Sequence, residues 1–192
     1  YKRLPITEYL PQRKTVKKST YQSHCIVGTT AYDLHNPNRI AMHLVNNILG
    51  GPGMNSRLNL ALRERHGLAY NVESSYTPYS DTGIFTIYFG TDKADTDKAI
   101  DLILQELDGL RNKRMGILQL SKAKKQLIGQ LAIGAESGEN LMISTAKSIL
   151  VYERPDNIQN VFKRIEEITS LEVMEIANEI LSPNKLSMLI YK

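Results

Sequence analysis

The sequence predicts an α+β fold, a mostly antiparallel β-sheet covered by helices. Strand-forming runs cluster before residue 91, and helical stripes fill residues 95–181. A last strand-like run, Leu186–Tyr191, closes the chain. Segregation of this kind points away from alternating βαβ units and a parallel sheet. A length of 192 residues, 42% hydrophobic and 23% charged, suits a domain with one substantial core. The expected layout is a basic linker or lead-in strand over residues 1–20, then a single α+β domain over 21–192.

Residues 1–18 read as extended and irregular. They carry Lys2, Arg3, Arg13, Lys14, Lys17 and Lys18 against Glu8, and they contain Pro5 and Pro11. The net charge of +4 therefore resides in this arm, because the remaining chain is balanced to within one charge. A nucleic-acid-binding domain would show its basic face within the folded body, so the arm reads as a solvated linker or lead-in strand. An electrostatic arm for an acidic partner is the sharper alternative.

Tyr21–Leu34 is the first strand candidate, on the strength of Ile26, Val27, Thr29, Thr30 and Tyr32. Asn36 or Asn38 then offers helix-start chemistry. Ile40–Leu49 places Ala41, Leu44, Val45 and Ile48 at helical spacing. A glycine-rich turn, Gly50-Gly51-Pro52-Gly53, leads into a short helix from about Asn55 to Arg65, broken at Gly67. Tyr70–Tyr79 and Gly83–Gly90, separated by Ser80-Asp81-Thr82, read as an antiparallel hairpin. Asp92 is a candidate N-cap for a helix whose stripe is Ile100, Ile103, Leu104 and Leu107. Ile117–Ile133 follows, with Leu120, Ala123, Leu127 and Leu131 expected inward. A break at Gly134–Gly138, a helix over Glu139–Tyr152 and a short connecting segment over Val161–Ile168 come next. Thr169 and Glu172 form a capping box for a helix that turns Val173, Ile176, Ala177, Ile180 and Leu181 inward.

Much chemistry is excluded by spacing. The histidines, His24, His35, His43 and His66, are not paired at the three-to-five-residue spacing of a helical zinc motif. His43 lies on an apolar helical face and reads as a core or interface histidine, and His66 at the Gly67 turn as a helix C-terminal cation. The glycine turn lacks the Gly-Lys-Ser/Thr of a phosphate loop, and Ser56 stands at the third glycine position of a dinucleotide fingerprint. A tight turn between two helices, with Asn55 or Ser56 as N-cap, explains it physically. Cys25, the single cysteine, sits in the apolar context of His24, Ile26 and Val27 and reads as an inert core thiol. No apolar run approaches the ~18 residues of a spanning helix. The chain begins at Tyr1 and not at Met, so an upstream portion is expected. Two polar residues stand out. Arg63 near the helix end and Tyr70 past the glycine break can fold toward one another and hold a peptide or another carbonyl-rich ligand.

The stretch Leu49–Tyr70, LGGPGMNSRLNLALRERHGLAY, resembles the second-half domain of the insulinase/pitrilysin zinc metallopeptidases, of the mitochondrial-processing-peptidase type. Leu49, Gly50, Gly51 and Gly53, then Ser56-Arg57-Leu58, Arg63 and Gly67-Leu68-Ala69-Tyr70, follow that family's order and spacing. Pro52 is an addition within the glycines, and the resemblance runs over about residues 20–192. It implies a substrate-clamping C-terminal domain of a zinc-dependent endopeptidase. The zinc and its glutamate base would lie in a separate N-terminal half, in cis or in trans. Arg63 would contact a substrate carbonyl and Tyr70 the scissile carbonyl or developing oxyanion. No cofactor is expected in this chain, no nucleic acid or membrane is expected as a partner, and a dimer stays open. The compartment stays open, with a cytoplasmic setting favoured. Without the metal half, the chain alone is expected to hydrolyse nothing. The alternative is a non-catalytic structural or interaction subunit of the same fold, for which Arg63 and Tyr70 would be dispensable.

Overall fold

The structure is a computed structural model, and it describes residues 8–155 and 157–192. The basic positions Lys2 and Arg3, with Pro5, lie outside the described residues. The described chain divides into two compact units. One runs through Arg114 and resumes over Leu171–Lys192, and the other is Met115–Ser170.

The first unit holds a five-stranded sheet in the order β1-β5-β2-β4-β3. Its strands are β1 (Arg13–Val16), β2 (Ser23–Ala31), β3 (Ala69–Pro78), β4 (Gly83–Thr91) and β5 (Ser187–Tyr191). Only the β1–β5 pair is parallel, and the other pairings are antiparallel, as the segregated pattern predicts. The lead-in arm is thus more regular than its composition suggests. Arg13–Val16 lies against Met188–Tyr191 as an edge strand, a position that tolerates exposed Arg and Lys. The helices of this unit are α1 (Arg39–Gly50), α2 (Thr96–Asn112) and α6 (Ser170–Ile180), together with a π-helical segment, Asn59–Glu64.

Alternation along the strands sorts their side chains onto two faces. Cys25, Val27, Val72, Tyr76, Phe85, Ile87, Phe89 and Ile190 are buried on the inner face. Ala41, Leu44, Leu49, Ile103, Leu107, Ile176 and Ile180 supply the helical side of the same core. The outer face carries Ile26 and Ile84, which remain 42% and 44% exposed. Asp92 does not cap α2 with its side chain. Its carbonyl instead accepts the Asp95 N–H at 3.0 Å, and a short 3₁₀ turn, Lys93–Asp95, leads into the helix. The Thr96 hydroxyl anchors that turn to Ser23 Oγ at 2.9 Å.

Met115–Ser170 is helical: α3 (Ile117–Glu136), α4 (Gly138–Tyr152) and α5 (Ile158–Glu167). The expected break at Gly134 is absent, and α3 continues to Glu136. Ser137 then caps α4 by accepting the Asn140 N–H. The predicted connecting segment is a full helix, α5, capped by the Asn157 carboxamide oxygen. Leu120 and Leu127 are buried as expected, whereas Leu131 is 37% exposed. Lys124, expected on a solvated face, donates from Nζ to the Glu166 carbonyl at 2.7 Å and ties α3 to α5.

Cys25 is 1% exposed, and burial pushes its thiol up to about 11. A thiol so placed stays protonated at neutral pH and presents no thiolate. A maleimide reagent at pH 7.5 is therefore expected to leave the native protein unlabelled and to label one site in denaturant. Rapid labelling of native protein would contradict the assignment.

Candidate functional site

The expected helix over residues 55–65 is present but wound wide. Arg65 N–H donates to the Leu60 carbonyl at 3.0 Å, an i→i−5 bond, and Asn59–Glu64 forms a π-helix. Such widenings insert an extra residue into a turn and recur at functional sites. Leu58, Ala61 and Leu62 are buried, and Arg63, at the outer end, is left with a 42% exposed side chain. Ser56 starts the segment: its carbonyl receives the Leu60 N–H, and its Oγ receives Asn59 Nδ2 at 2.8 Å. Arg57 ties the stretch to α2 through Glu106 at 3.7 Å, a partly buried pair.

The exit from this segment is equally determined. Gly67 adopts φ +61°, the left-handed conformation that glycine enters without a Cβ penalty. Its N–H bonds the Arg63 carbonyl at 3.0 Å, and the Leu68 N–H bonds the Leu62 carbonyl at 2.8 Å. The His66 ring donates from Nδ1 to the Ala61 carbonyl at 2.7 Å, closing a carbonyl at the helix end. The Thr91 hydroxyl then fixes Leu68 through its carbonyl at 2.7 Å, and β3 begins.

A β-bulge finishes the work. Ala69 pairs with Thr91 and Val72 with Phe89, so Tyr70 and Asn71 together oppose Gly90. Counted back from Val72, strict alternation turns Tyr70 into the core. The extra residue keeps Tyr70 and Asn71 outside together, and bulges re-aim side chains in this way. Tyr70 is 86% exposed as a result. The Arg63 guanidinium carbon lies 5.6 Å from the centre of the Tyr70 ring, within cation–π range, while its Nε sits 3.6 Å from Glu64. The structure thus brings the two predicted residues together, with a cationic donor and a phenol presented side by side. Asn71 was invisible as a neighbour of Tyr70, because regular alternation sends adjacent residues to opposite faces.

The glycine turn has a packing role. A Cβ on Gly50 would lie 2.5 Å from the Ser74 nitrogen of β3. The Ser74 hydroxyl bonds the Asn46 carbonyl at 3.0 Å, so the end of α1 rests directly on β3. Of the core and interface positions expected for His43, the core one is not taken: the residue is exposed on α1, its ring centre 4.7 Å from that of Tyr76.

One concave surface of this unit lies elsewhere. A shallow groove of about 340 Å³ lies by Tyr9, Tyr32, Asp33, Asp81 and Thr82, at the hairpin-turn end of the sheet. Tyr70 is at the other end of the ten-residue β3, roughly 30 Å away at the usual strand rise. Within that groove the Tyr32 hydroxyl donates to Glu179 at 2.5 Å, and burial together with that carboxylate holds its pKa above the ordinary range. Among the described residues, no group of three or more His, Cys, Asp or Glu side chains is gathered as a metal would require. The described residues therefore do not fit a zinc ion.

Comparison with known proteins identifies the family. Residues 1–127 match the family model described as the peptidase M16 inactive domain. A protein of Streptomyces coelicolor named an uncharacterized zinc protease is 30% identical over 86% of this chain and 36% of its own length. The uncharacterized zinc protease YmxG of Bacillus subtilis is 28% identical over 90% of this chain and 42% of its own. The chain thus spans less than half the length of these relatives. A solved structure titled as a peptidase M16 inactive domain from Pseudomonas fluorescens superposes with a TM-score of 0.86. It covers 100% of this chain and 45% of that one at 24% identity, which shows the shared fold. The resemblance carried by Leu49–Tyr70 is borne out, and so is the α+β fold: the chain belongs to the zinc-protease family M16, as its inactive domain.

Proposed function

We propose that this chain is the substrate-clamping half of a zinc-dependent endopeptidase, paired with a zinc-bearing half in cis or in trans. The observation that carries this reading is the placement of Arg63 beside an 86% exposed Tyr70 by three local devices: a π-helix, a left-handed glycine and a β-bulge. Each device departs from regular structure, and together they turn two hydrogen-bonding side chains outward at one place. Widened helical turns and β-bulges recur at functional sites, where they re-aim side chains.

The chemistry follows from the two groups. A guanidinium offers several N–H donors in a rigid fork, matched to carbonyl oxygens of an extended peptide. A phenol donates one hydrogen bond, and it stabilises an oxyanion without carrying charge itself. Arg63 therefore holds a backbone carbonyl of the substrate, and the Tyr70 hydroxyl faces the carbonyl that becomes tetrahedral. The zinc ion belongs to the other half, and this half supplies orientation and electrostatic stabilisation.

Arg63→Ala in the assembled enzyme tests the clamp. A charge-assisted hydrogen bond is worth about 1.5–3 kcal/mol, so kcat/KM for a peptide is expected to fall roughly 10–100-fold. An unchanged kcat/KM would remove Arg63 from the substrate-binding machinery and would favour a non-catalytic subunit.

A further inference from the structure

Gly90 has no structural need to be glycine. It lies inside β4, which is flanked by β2 and β3, and its φ is not positive: Gly67 holds that conformation among the described glycines. A Cβ at Gly90 would meet nothing closer than Gln22 Oε1 at 3.8 Å and the Ser23 carbonyl at 4.0 Å, ordinary contact distances. Gly28, on the same outer face of the neighbouring strand, is different, because a Cβ there would stand 3.0 Å from the Phe85 carbonyl. A glycine inside a strand costs stability relative to alanine and often marks a bulge or a close approach by a ligand or another backbone; the bulge here lies in β3, opposite Gly90. At Gly90 neither backbone conformation nor packing demands that cost.

The missing side chain leaves a notch, and the register names its walls. His24 pairs with Gly90 across the β2 side, and the bulged Tyr70 and Asn71 oppose it across the β3 side. Tyr88, two residues back along β4, shares the outer face. His24 Nδ1 and the Tyr88 hydroxyl are hydrogen-bonded at 2.8 Å, and their rings stack at 6.2 Å with 17° between planes. That bond engages polar atoms of both rings with one another and fixes the two rings as a rigid unit. Tyr70 supplies the opposite wall, held from beyond by Arg63.

We infer that this notch is a specificity subsite for an aromatic side chain of the peptide, adjacent to the bond addressed by Tyr70. The inference rests on the clamping role of Arg63 and Tyr70. Neighbouring strands are about 4.8 Å apart, so Gly90 sits one strand-width from Tyr70, comparable to one residue step along an extended peptide. Three aromatic rings around an uncharged floor favour a planar apolar guest in stacked or edge-on contact.

The test uses the assembled two-half enzyme and a pair of Ser/Ala decapeptides identical but for a single central Phe or Ala. Cleavage positions are read by mass spectrometry. Wild-type enzyme is expected to cut at a fixed step from the Phe, with kcat/KM at least tenfold above that of the Ala peptide. Gly90→Val, which fills the notch, is expected to bring that ratio down to within twofold of unity, and Gly90→Ala to an intermediate value. Tyr88→Ala, which removes a wall, provides the same readout should the valine variant fail to fold. Tyr70→Phe keeps the ring as a wall, so it lowers turnover of both peptides and preserves the ratio. An absence of Phe preference in wild type, or a ratio unmoved by both Gly90→Val and Tyr88→Ala, overturns the subsite. If Tyr70→Phe still slows both peptides in that case, the clamp survives the loss of the subsite. Failure of the assembled enzyme to turn over either peptide overturns both.

Discussion

Tyr70→Phe in the assembled two-half enzyme is expected to lower kcat for peptide cleavage by about 10²–10³-fold, the cost of losing one oxyanion donor. KM is expected to change little, because the hydroxyl acts where charge develops in the transition state and contributes little to ground-state binding. The substitution removes one oxygen from a side chain that is 86% exposed, so the fold has little to lose. A surface change of this kind moves stability by no more than about 0.5 kcal/mol. The ring remains beside Arg63, and the cation–π contact persists. Activity and stability are thereby separated: a large fall in kcat with an unchanged melting temperature is the expected pair of results. Steady-state kinetics and a thermal melt on the same preparation measure both. Unchanged kcat would mean that the phenol has no contact with the reacting carbonyl.

The second large effect concerns the fold that carries the site. Gly50→Ala is expected to destabilise the protein by about 1–3 kcal/mol, the usual cost of overpacking a well-filled region. The added methyl would lie 2.5 Å from the Ser74 nitrogen, 2.8 Å from Ser74 Oγ and 3.0 Å from Ser74 Cβ. A backbone nitrogen within a paired strand cannot step aside without moving β3, and β3 carries Tyr70 at its start. For a chain of 192 residues, each kcal/mol lowers the melting temperature by roughly 2–4 °C. Activity should fall with stability, because the shift propagates to the bulge. Gly90→Ala provides the contrast: with open space around its Cβ, it is expected to hold or raise stability by up to about 1 kcal/mol. If Gly50→Ala melts with the wild type, α1 and β3 are less closely apposed than these distances require.

The contrast between those two glycines also marks how far the sequence was legible. Gly50, Gly51 and Gly53 were recognisable as a turn, and Gly67 as a helix stop, because glycine next to helical periodicity has a conformational meaning. The strands and helices followed largely from their periods, since the alternation of Phe85, Ile87 and Phe89 with Ile84, Thr86 and Tyr88 and the Ile100, Ile103 and Leu107 stripe report faces directly. β1 was legible only as one of two readings of the arm, linker or lead-in strand, because Arg13–Val16 is a four-residue exposed edge whose pairing partner lies at the far end of the chain. The full length of α5 escaped, since its amphipathic run is short and starts just after a proline-containing turn. At the site, Arg63 and Tyr70 were nameable from their spacing and from the motif around them. The π-helix and the bulge were not, because each inserts a single residue that leaves the apolar pattern nearly unchanged: the first is a local i→i−5 widening, and the second is decided by the pairing of β3 with β4. Asn71, His24, Tyr88 and Gly90 join the neighbourhood of Tyr70 only through that register.

The central claim is that this half completes a zinc site it does not contain. Peptide turnover by a zinc-loaded N-terminal half, measured with and without this chain, tests it most directly. The account predicts that turnover requires both halves, that bound zinc remains with the N-terminal half, and that Tyr70→Phe in this chain depresses the joint activity. Equal turnover by the zinc-bearing half alone would contradict the account and leave this chain a structural partner.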